Sequence, residues 1–318
     1  MVKKYFHESR AKLHVTHRDI LLGTTLWKEY IMQIMRHYAE NYSSELEDLL
    51  QTCGIEYELD VGLISFDLSD SNEHIHTIRN RFPSIHSWQR WYKFSDEEMN
   101  ESEWFTMRST NTKLENVLDE ETFKYSCKYI AQVISGYFTN TPQPKDMEFY
   151  SHETQIAPYY FSKKIKWGRN FFYSVLKYGT QDFFCNNVAK NIITLNGLKG
   201  ASFLPPLKKQ TNEPIEDVYQ FIIDNVLPES SYDVVDYDDI CYCPVCGKRK
   251  YLTNSLSQLR VSKTALGIQD FYATEPIFSV GGKAALPDRF SIISRKAYEV
   301  FKANGFTRTL EIAPLLTY

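Results

Sequence analysis

Two stretches in the C-terminal half decide the fold, because they align with each other without a gap. Phe184–Leu207 reads FCNNVAKNIITLNGLKGASFLPPL, and Ile292–Leu315 reads IISRKAYEVFKANGFTRTLEIAPL. At an offset of 108 positions (305 − 197) most apolar residues stay apolar, and five pairs are identical: Ala189/Ala297, Asn196/Asn304, Gly197/Gly305, Pro206/Pro314 and Leu207/Leu315. A repeat of this kind indicates one module used twice. The alternative is a common packing pattern that occurs twice by chance.

Each stretch has the pattern of a strand, a helix and a return strand. Apolar side chains recur at i, i+3 and i+4 along both central segments, as on the buried face of a helix. Asn186 and Ser294 are suited to cap the helix N-termini, and a glycine follows each helix where a left-handed residue commonly ends one. We therefore expect helices at Asn187–Asn196 and Arg295–Asn304, each followed by a strand that ends at proline.

The same pattern carries a family resemblance. Asp182–Leu207 and Arg289–Leu315 resemble the C-terminal signature of bacterial immunity proteins from polymorphic toxin systems, in particular immunity protein family eleven and the related paralogous double-CxxCG proteins. The chain also contains the Cys-x-x-Cys-Gly knuckle of the second group, at Cys243–Gly247, although those proteins have two knuckles and this chain has one. The resemblance implies a protein that binds a cognate toxin stoichiometrically and occludes it.

The knuckle resembles one half of a zinc ribbon. Two residues between the cysteines let one tight turn direct both sulfurs to a metal, and Cys241 lies close by in sequence. The candidate zinc ligands are Cys241, Cys243 and Cys246, and a closed site would need a fourth, such as Cys185 or His152. The alternative is a zinc-ribbon-like hairpin that keeps the turn and has lost the metal.

Composition restricts the function classes. The 318 residues are 43% hydrophobic and 24% charged, as in ordinary folded proteins, and a net charge of −4 lacks the basic excess of a dedicated nucleic-acid binder. No apolar stretch is long enough to span a membrane, and the N-terminus lacks the apolar segment of a signal peptide. We expect a cytoplasmic protein whose six cysteines stay reduced.

Two groups of residues are candidates for binding a protein partner. An acidic run with interleaved aromatic residues suits a basic toxin surface, and exposed tryptophans often anchor protein interfaces. The alternatives are a solvated strand or loop for the acids and core packing for the tryptophans. The candidate partner-binding residues are Asp233, Asp236, Asp238, Asp239, Trp88, Trp91 and Trp104.

Two prolines among polar residues at Thr139–Asp146 indicate a linker. We therefore predict an N-terminal α+β domain over residues 1–140 and a C-terminal α+β domain over residues 147–318, with the repeat units near 182–207 and 289–315. In the first domain, apolar spacing predicts a helix at Thr25–Tyr42 and another at Glu115–Phe138. Alternating apolar residues between Ile55 and Leu68 predict strands, and helices are expected near residues 44–53 and 72–80.

The sequence gives no sign of an enzyme. No nucleophile elbow, phosphate-binding loop or dinucleotide-binding glycine pattern occurs, and no pair of carboxylates stands out. The expected function is that of an immunity protein that binds a cognate toxin, with zinc as the one cofactor considered. The alternatives are a zinc-ribbon-like binding protein associated with nucleic acid, which the charge disfavours, and a hydrolase of unrecognised type.

Overall fold

The chain combines a few short helices with many strands, so the α+β class predicted from the sequence is confirmed. The computed structural model describes residues 33–110, 123–125, 128–135, 143–150, 153–155, 157–161, 165–177, 180–242, 249–254, 257–280 and 288–318. Five α-helices are found in these residues: α1 Ser44–Thr52, α2 Ile75–Arg81, α3 Asp96–Glu101, α4 Asn187–Leu195 and α5 Arg295–Ala303. Contacts group Met32–Tyr318 into one compact unit, and the other unit, Met1–Ile31, lies outside the described residues.

The strands are short and numerous. Those before residue 200 are β1 Gln33–Asn41, β2 Tyr57–Asp60, β3 Leu63–Ser69, β4 His86–Lys93, β5 Trp104–Ser109, β6 Phe123–Tyr125, β7 Lys128–Ser135, β8 Gln143–Tyr150, β9 Glu153–Gln155, β10 Tyr160–Phe161, β11 Phe172–Lys177 and β12 Thr180–Cys185. Those after it are β13 Ala201–Leu204, β14 Leu207–Lys208, β15 Tyr219–Ile223, β16 Val226–Leu227, β17 Tyr232–Val235, β18 Asp239–Tyr242, β19 Arg249–Thr253, β20 Gln258–Val261, β21 Phe271–Thr274, β22 Phe278–Val280, β23 Ser291–Ser294, β24 Leu310–Pro314 and β25 Leu316–Thr317.

The N-terminal part is an antiparallel sheet of order β2-β3-β1-β4 with helices α1 and α2 on one face. Ile64, Phe66 and Leu68 alternate along β3 and are buried against the helices, as the sequence predicts for these strands. The predicted helix at Thr25–Tyr42 is wrong from residue 33 onward, because Gln33–Asn41 is strand β1. Tyr38 stacks on Phe66 of the neighbouring strand, with ring centroids 5.3 Å apart. Residues 25–32 lie outside the described part.

A second helix prediction, Glu115–Phe138, is also wrong where the structure describes it. Strands β6 and β7 occupy this stretch, and β7 pairs antiparallel with β8. Pro144 lies within β8 opposite Ile134, so the expected linker is a strand from Gln143 onward. The β-branched and aromatic content of residues 128–135 favours a strand once a partner strand is present.

Helices α4 and α5 each connect two strands of a larger sheet. The first of these two sheets has the order β11-β12-β15-β13, and the second has the order β16-β21-β23-β5-β24. Helix α4 connects β12 to β13, and helix α5 connects β23 to β24. Both helices occupy the predicted positions. The Asn186 side chain accepts a hydrogen bond from the Ala189 amide at 2.9 Å, and the Ser294 hydroxyl accepts one from the Ala297 amide at 3.1 Å.

Both large sheets are buried on two faces. One core combines residues of both sheets and both helices, including Phe172, Phe221, Phe271, Phe301 and Phe306. The opposite face of the first sheet packs on a cluster that includes Tyr159, Phe161 and Phe184, and the opposite face of the second packs on one that includes Tyr232, Tyr251 and Phe278. Strands with two buried faces read as apolar runs in the sequence, as in YQFII of β15.

The division into domains at residues 140–147 stays a prediction, but one strand bears on it. Strand β5 lies in the predicted N-terminal domain and pairs with β23 on one side and β24 on the other. Any such division therefore has to let β5 enter the sheet of the C-terminal half.

Candidate functional site

The acidic run forms two short strands joined by a turn. Tyr232–Val235 is β17, which pairs antiparallel with β20, and Asp239–Tyr242 is β18, which pairs antiparallel with β19. The residues between them, 236–238, make the turn. We refer to residues 233–239 as the acidic turn. Its four aspartates are all exposed, so the strands carry the carboxylates on the surface.

Hydrogen bonds from the neighbouring β19–β20 connection hold this turn in place. Asp236 has a left-handed φ of 58°, which aspartate tolerates better than most residues. Its carbonyl oxygen accepts hydrogen bonds from Asn254 Nδ2 at 3.1 Å and from Ser257 Oγ at 2.9 Å. Asn254 Nδ2 also donates to Asp238 Oδ1 at 2.6 Å, and the Asp238 amide donates to the Leu252 carbonyl at 2.8 Å. The carboxylates are therefore presented on a fixed backbone.

Tyrosine side chains surround the acids. Tyr237 is 39% exposed and packs edge-on against Tyr251, with ring centroids 5.2 Å apart. Tyr251 stacks on Phe278 beneath it, and burial raises the pKa of the Tyr251 hydroxyl. Tyr242 is 66% exposed at the end of β18, and the Tyr92 hydroxyl donates to Asp236 Oδ2 at 3.3 Å. The packed rings of Tyr251 and Phe278 thus support a surface on which tyrosine rings and carboxylates are both exposed.

The three candidate tryptophans do not share one position. Trp104 is half-buried in β5 and packs edge-on against Tyr272 at 5.6 Å, next to the core beneath β17 and β19, so packing takes up much of its indole. Trp91 is half-buried in β4 and aligns with Met35 of β1, on the sheet face opposite to Tyr92. Trp88 also lies in β4, but its side chain is outside the described part. Tyr92, which lies next to Trp91 in strand β4, contacts the acidic turn through its hydroxyl group.

The candidate metal ligands lie partly outside the described residues. Strands β18 and β19 form an antiparallel pair on either side of the knuckle, whose cysteines, Cys243 and Cys246, fall in the undescribed residues 243–248. Cys241 is half-buried in β18 and aligned with Lys250 of β19. Over the described residues, no group of three histidine, cysteine, aspartate or glutamate side chains is arranged to hold a metal.

The position of Cys185 disfavours it as the suggested fourth ligand. It is completely buried in the core that contains Phe172 and Ala189, and Cys241 is not part of that core. Desolvation there raises the pKa of the Cys185 thiol well above its ordinary value, which disfavours the thiolate form that binds a metal. His152, the other suggestion, lies outside the described residues.

Sequence reasoning found the acids but missed the residues that hold and flank them. Asn254 and Ser257 are 16 to 21 residues away from their partners in the turn, and Tyr92 is 144 residues from Asp236. Asparagine and serine favour turns, so the Asn-Ser dipeptide at 254–255 is a signal that could have drawn attention to this connection. Nothing in the sequence pattern could place that connection beside the acidic run.

Comparison with known proteins adds no relative. No family model, no curated protein and no solved structure matches the chain. Within the described residues, none of the helices combines the length and the apolar character needed to cross a membrane.

Proposed function

We propose that this chain is a cytoplasmic immunity protein that binds a cognate bacterial toxin and neutralises it by stoichiometric occlusion. The observation that carries the proposal is the acidic turn, a surface of four exposed aspartates with the exposed rings of Tyr237 and Tyr242, held by hydrogen bonds from Asn254 and Ser257. Protein interfaces are enriched in tyrosine, and complementary charge directs two proteins toward each other. The resemblance of the two strand-helix-strand stretches to immunity proteins supports the same function.

The acidic turn and the tyrosines have different tasks in this proposal. The carboxylates attract a basic surface of the toxin and raise the association rate, an effect that weakens as salt rises. The tyrosine rings become buried on binding and slow dissociation, because aromatic anchors carry much of the energy of an interface. A stable complex needs roughly 800 Å² on this chain's side, so the surface must extend beyond the turn. Tyr92 of strand β4 contacts the turn, so its surroundings are the expected extension.

The framework behind the surface is a duplicated strand-helix-strand unit together with a zinc-ribbon-like hairpin. Helices α4 and α5, with the strands on either side of them, are the two copies. Strands β18 and β19 are the hairpin, which carries the acidic turn at one end and the knuckle at the other. Zinc held by Cys241, Cys243, Cys246 and one further ligand would fix the hairpin as a structural ion, without a part in catalysis.

Metal analysis tests the hairpin separately from toxin binding. The purified chain is expected to contain zinc at about one ion per molecule, and a chelator is expected to lower its melting temperature. The double variant Cys243→Ser/Cys246→Ser should lose the metal. A zinc content near zero with a melting temperature that does not respond to the chelator would leave a hairpin without metal.

Co-expression with the product of the neighbouring gene tests the function. Rescue of growth together with a complex of fixed stoichiometry that survives purification is expected. Protection by the chain at far below one copy per toxin, or the absence of any complex, would contradict occlusion. Turnover of a substrate by the chain alone would contradict it as well.

A matched pair of charge variants tests the surface. Asp236→Asn/Asp238→Asn/Asp239→Asn and Glu56→Gln/Glu58→Gln/Asp60→Asn each remove three exposed carboxylates and change the net charge from −4 to −1 (−4 + 3). The first should slow association with the toxin by about tenfold at low salt and by less at high salt, because local charge sets the on-rate. The second should behave like the unaltered chain. Equal effects of the two variants would place the contact elsewhere.

A further inference from the structure

We propose that the second strand-helix-strand unit is a circularly permuted copy of the first, completed by a strand donated from the N-terminal half. In the first unit β15 follows α4 and β13 in the chain and lies between β12 and β13. In the second unit the same position, between β23 and β24, is taken by β5, which precedes the rest of the unit by more than 150 residues. The likeness extends well beyond the stretches that align in sequence.

The order and direction of four strands agree between the two units. The first unit reads β11-β12-β15-β13 across its sheet, and the second reads β21-β23-β5-β24, with β16 added at one edge. All six of the strand pairings within these two sets are antiparallel. In each unit a helix leaves the second strand and returns to the fourth, so that the two helix-linked strands are parallel and one strand lies between them.

The registers agree residue by residue on the first three strands. Across the first sheet, one row of aligned residues is Phe172, Cys185 and Tyr219. Across the second sheet, the row that contains Ile293, the equivalent of Cys185 at the offset of 108, is Phe271, Ile293 and Phe105. The first strands therefore correspond as Phe172-Tyr173 with Phe271-Tyr272, an identical dipeptide that the gap-free sequence alignment does not cover.

Backbone hydrogen bonds agree at the helix entrances. The Asn186 amide donates to the Phe171 carbonyl at 3.2 Å, and the Ser294 amide donates to the Asp270 carbonyl at 2.9 Å. In each unit the acceptor is the residue before the shared Phe-Tyr dipeptide, and the donor is the N-cap of the helix. The same bond between equivalent residues is what two copies of one unit require.

The return strands, β13 and β24, correspond at an offset that is one residue larger than the offset of the helices. Leu204 lies opposite Gln220 in the first unit, and Ala313 lies opposite Thr106, the equivalent of Gln220, in the second. The offset is therefore 109 (313 − 204) on these strands and 108 on the helices. The second unit has one additional residue between its helix and its return strand, where Phe306–Arg308 forms a short 3₁₀ turn.

The donated strand is held as firmly as its counterpart. Phe105 and Met107 are buried in the core shared by both units, as Phe221 of β15 is. Without β5, strands β23 and β24 would each lose a partner and expose unpaired backbone groups, which is costly inside a core. Arg295 at the start of α5 adds a second attachment, because its Nη2 donates to the carbonyl oxygens of Met99, at 2.5 Å, and Ser102 just before β5.

Specific cleavage of the chain after β5 tests the proposal. A protease recognition sequence inserted after Lys113 divides the cleaved protein into a fragment that ends after β5 and a fragment that contains both α4 and α5. The two fragments should co-elute as one species in gel filtration and separate in denaturant. Two fragments that separate under native conditions while each keeps its circular dichroism would overturn the proposal.

One position supplies a matched pair of variants. Thr106→Val keeps the backbone amide of β5 and should leave the cleaved fragments together, whereas Thr106→Pro removes that amide from the middle of the sheet and should lower their affinity by at least about a hundredfold. Equal affinity in the two variants would contradict a strand paired on both sides.

Hydrogen exchange in the intact, unaltered chain gives an independent result that needs no cleavage. The amides of Phe105–Arg108 are expected to exchange as slowly as those of Ile292 and Ile293, because a middle strand opens only with its sheet. Exchange of β5 a hundredfold faster than both of its neighbours would show a separable segment and overturn the proposal.

Discussion

Replacing Phe105 by alanine tests most directly whether β5 stabilises the second unit. The ring is completely buried in the shared core, stacks on Tyr298 with centroids 4.4 Å apart, and lies 4.8 Å beneath the Arg295 guanidinium carbon. Truncation of a buried phenylalanine to alanine costs about 3–5 kcal/mol, because transfer energy is lost and a cavity remains. Tyr298 and Arg295 both belong to α5 of the second unit, so the loss should appear there.

Amide hydrogen exchange measures the loss strand by strand. Since about 1.4 kcal/mol corresponds to a factor of ten, the amides of β23 and β24 should exchange about a hundredfold to several thousandfold faster in Phe105→Ala. Leu59→Ala is the control, because Leu59 is 54% exposed on an edge strand and its truncation should change stability by about 0.5 kcal/mol or less. Unchanged exchange in β23 and β24, with acceleration confined to β1 and β3, would refute the reasoning.

Three further predictions concern single contacts. Asn186→Ala and Ser294→Ala should each lower the free energy of unfolding by about 1 kcal/mol, measured by urea denaturation, because each removes the side chain that caps a helix; a loss for only one of them would mean that the two caps are not equivalent. Cys185 should resist alkylation in the folded chain up to alkaline pH, because it is buried and burial raises the pKa of its thiol, whereas the half-buried Cys53 should react before it; mass spectrometry of the labelled peptides decides the order of these two. Asn254→Ala removes two hydrogen bonds to the acidic turn and should accelerate exchange of the Asp238 amide by about tenfold, since each lost hydrogen bond costs roughly 0.5–1.5 kcal/mol. Unchanged exchange of that amide would mean that the conformation of the turn does not depend on Asn254.

Strand β1 shows why a local pattern can indicate the wrong element. Ile34 and Tyr38 are four residues apart, a spacing that places them on one face of a helix and equally on one face of a strand. Arg36 lies between them on the same face of the strand, where its guanidinium pairs with Asp70. Met35 lies on the other face of the sheet, aligned with Trp91. Pairing with β3 and β4 makes this segment a strand, and the spacing of apolar residues within the segment carries no information about those partners.

The helices of the two units were predictable for the opposite reason. The Asn186 and Ser294 side chains each accept a hydrogen bond from the amide three residues further along the chain. Gly197 and Gly305 at the helix ends adopt left-handed φ values of 59° and 71°, so the signals that start and end each helix are local. The position of β5 between β23 and β24 depends on pairing across nearly 200 residues. The acidic turn combines both cases, because its charges are visible in the sequence and its attachment to Asn254 is not.

Gly200 of the first unit lies close to the backbone of strand β21. Its replacement by alanine, compared with the same change at Gly197, distinguishes a steric effect from a conformational one. Its φ is 99°, and a Cβ atom there would lie 2.6 Å from the Phe271 carbonyl oxygen and 2.5 Å from Asn225 Nδ2. The Phe271 oxygen is backbone of β21 and cannot move without disturbing the sheet of the second unit. Gly197, three residues earlier, has a φ of 59°, and a Cβ atom added to it would meet no atom within 4 Å, so Gly197→Ala adds only the strain of a left-handed residue, about 1–2 kcal/mol. Gly200→Ala adds that strain and the contact with β21, and should lower the free energy of unfolding in urea by at least about 1 kcal/mol more. If the two substitutions cost the same, or if Gly197→Ala costs more, the approach of the units at Gly200 has no energetic weight.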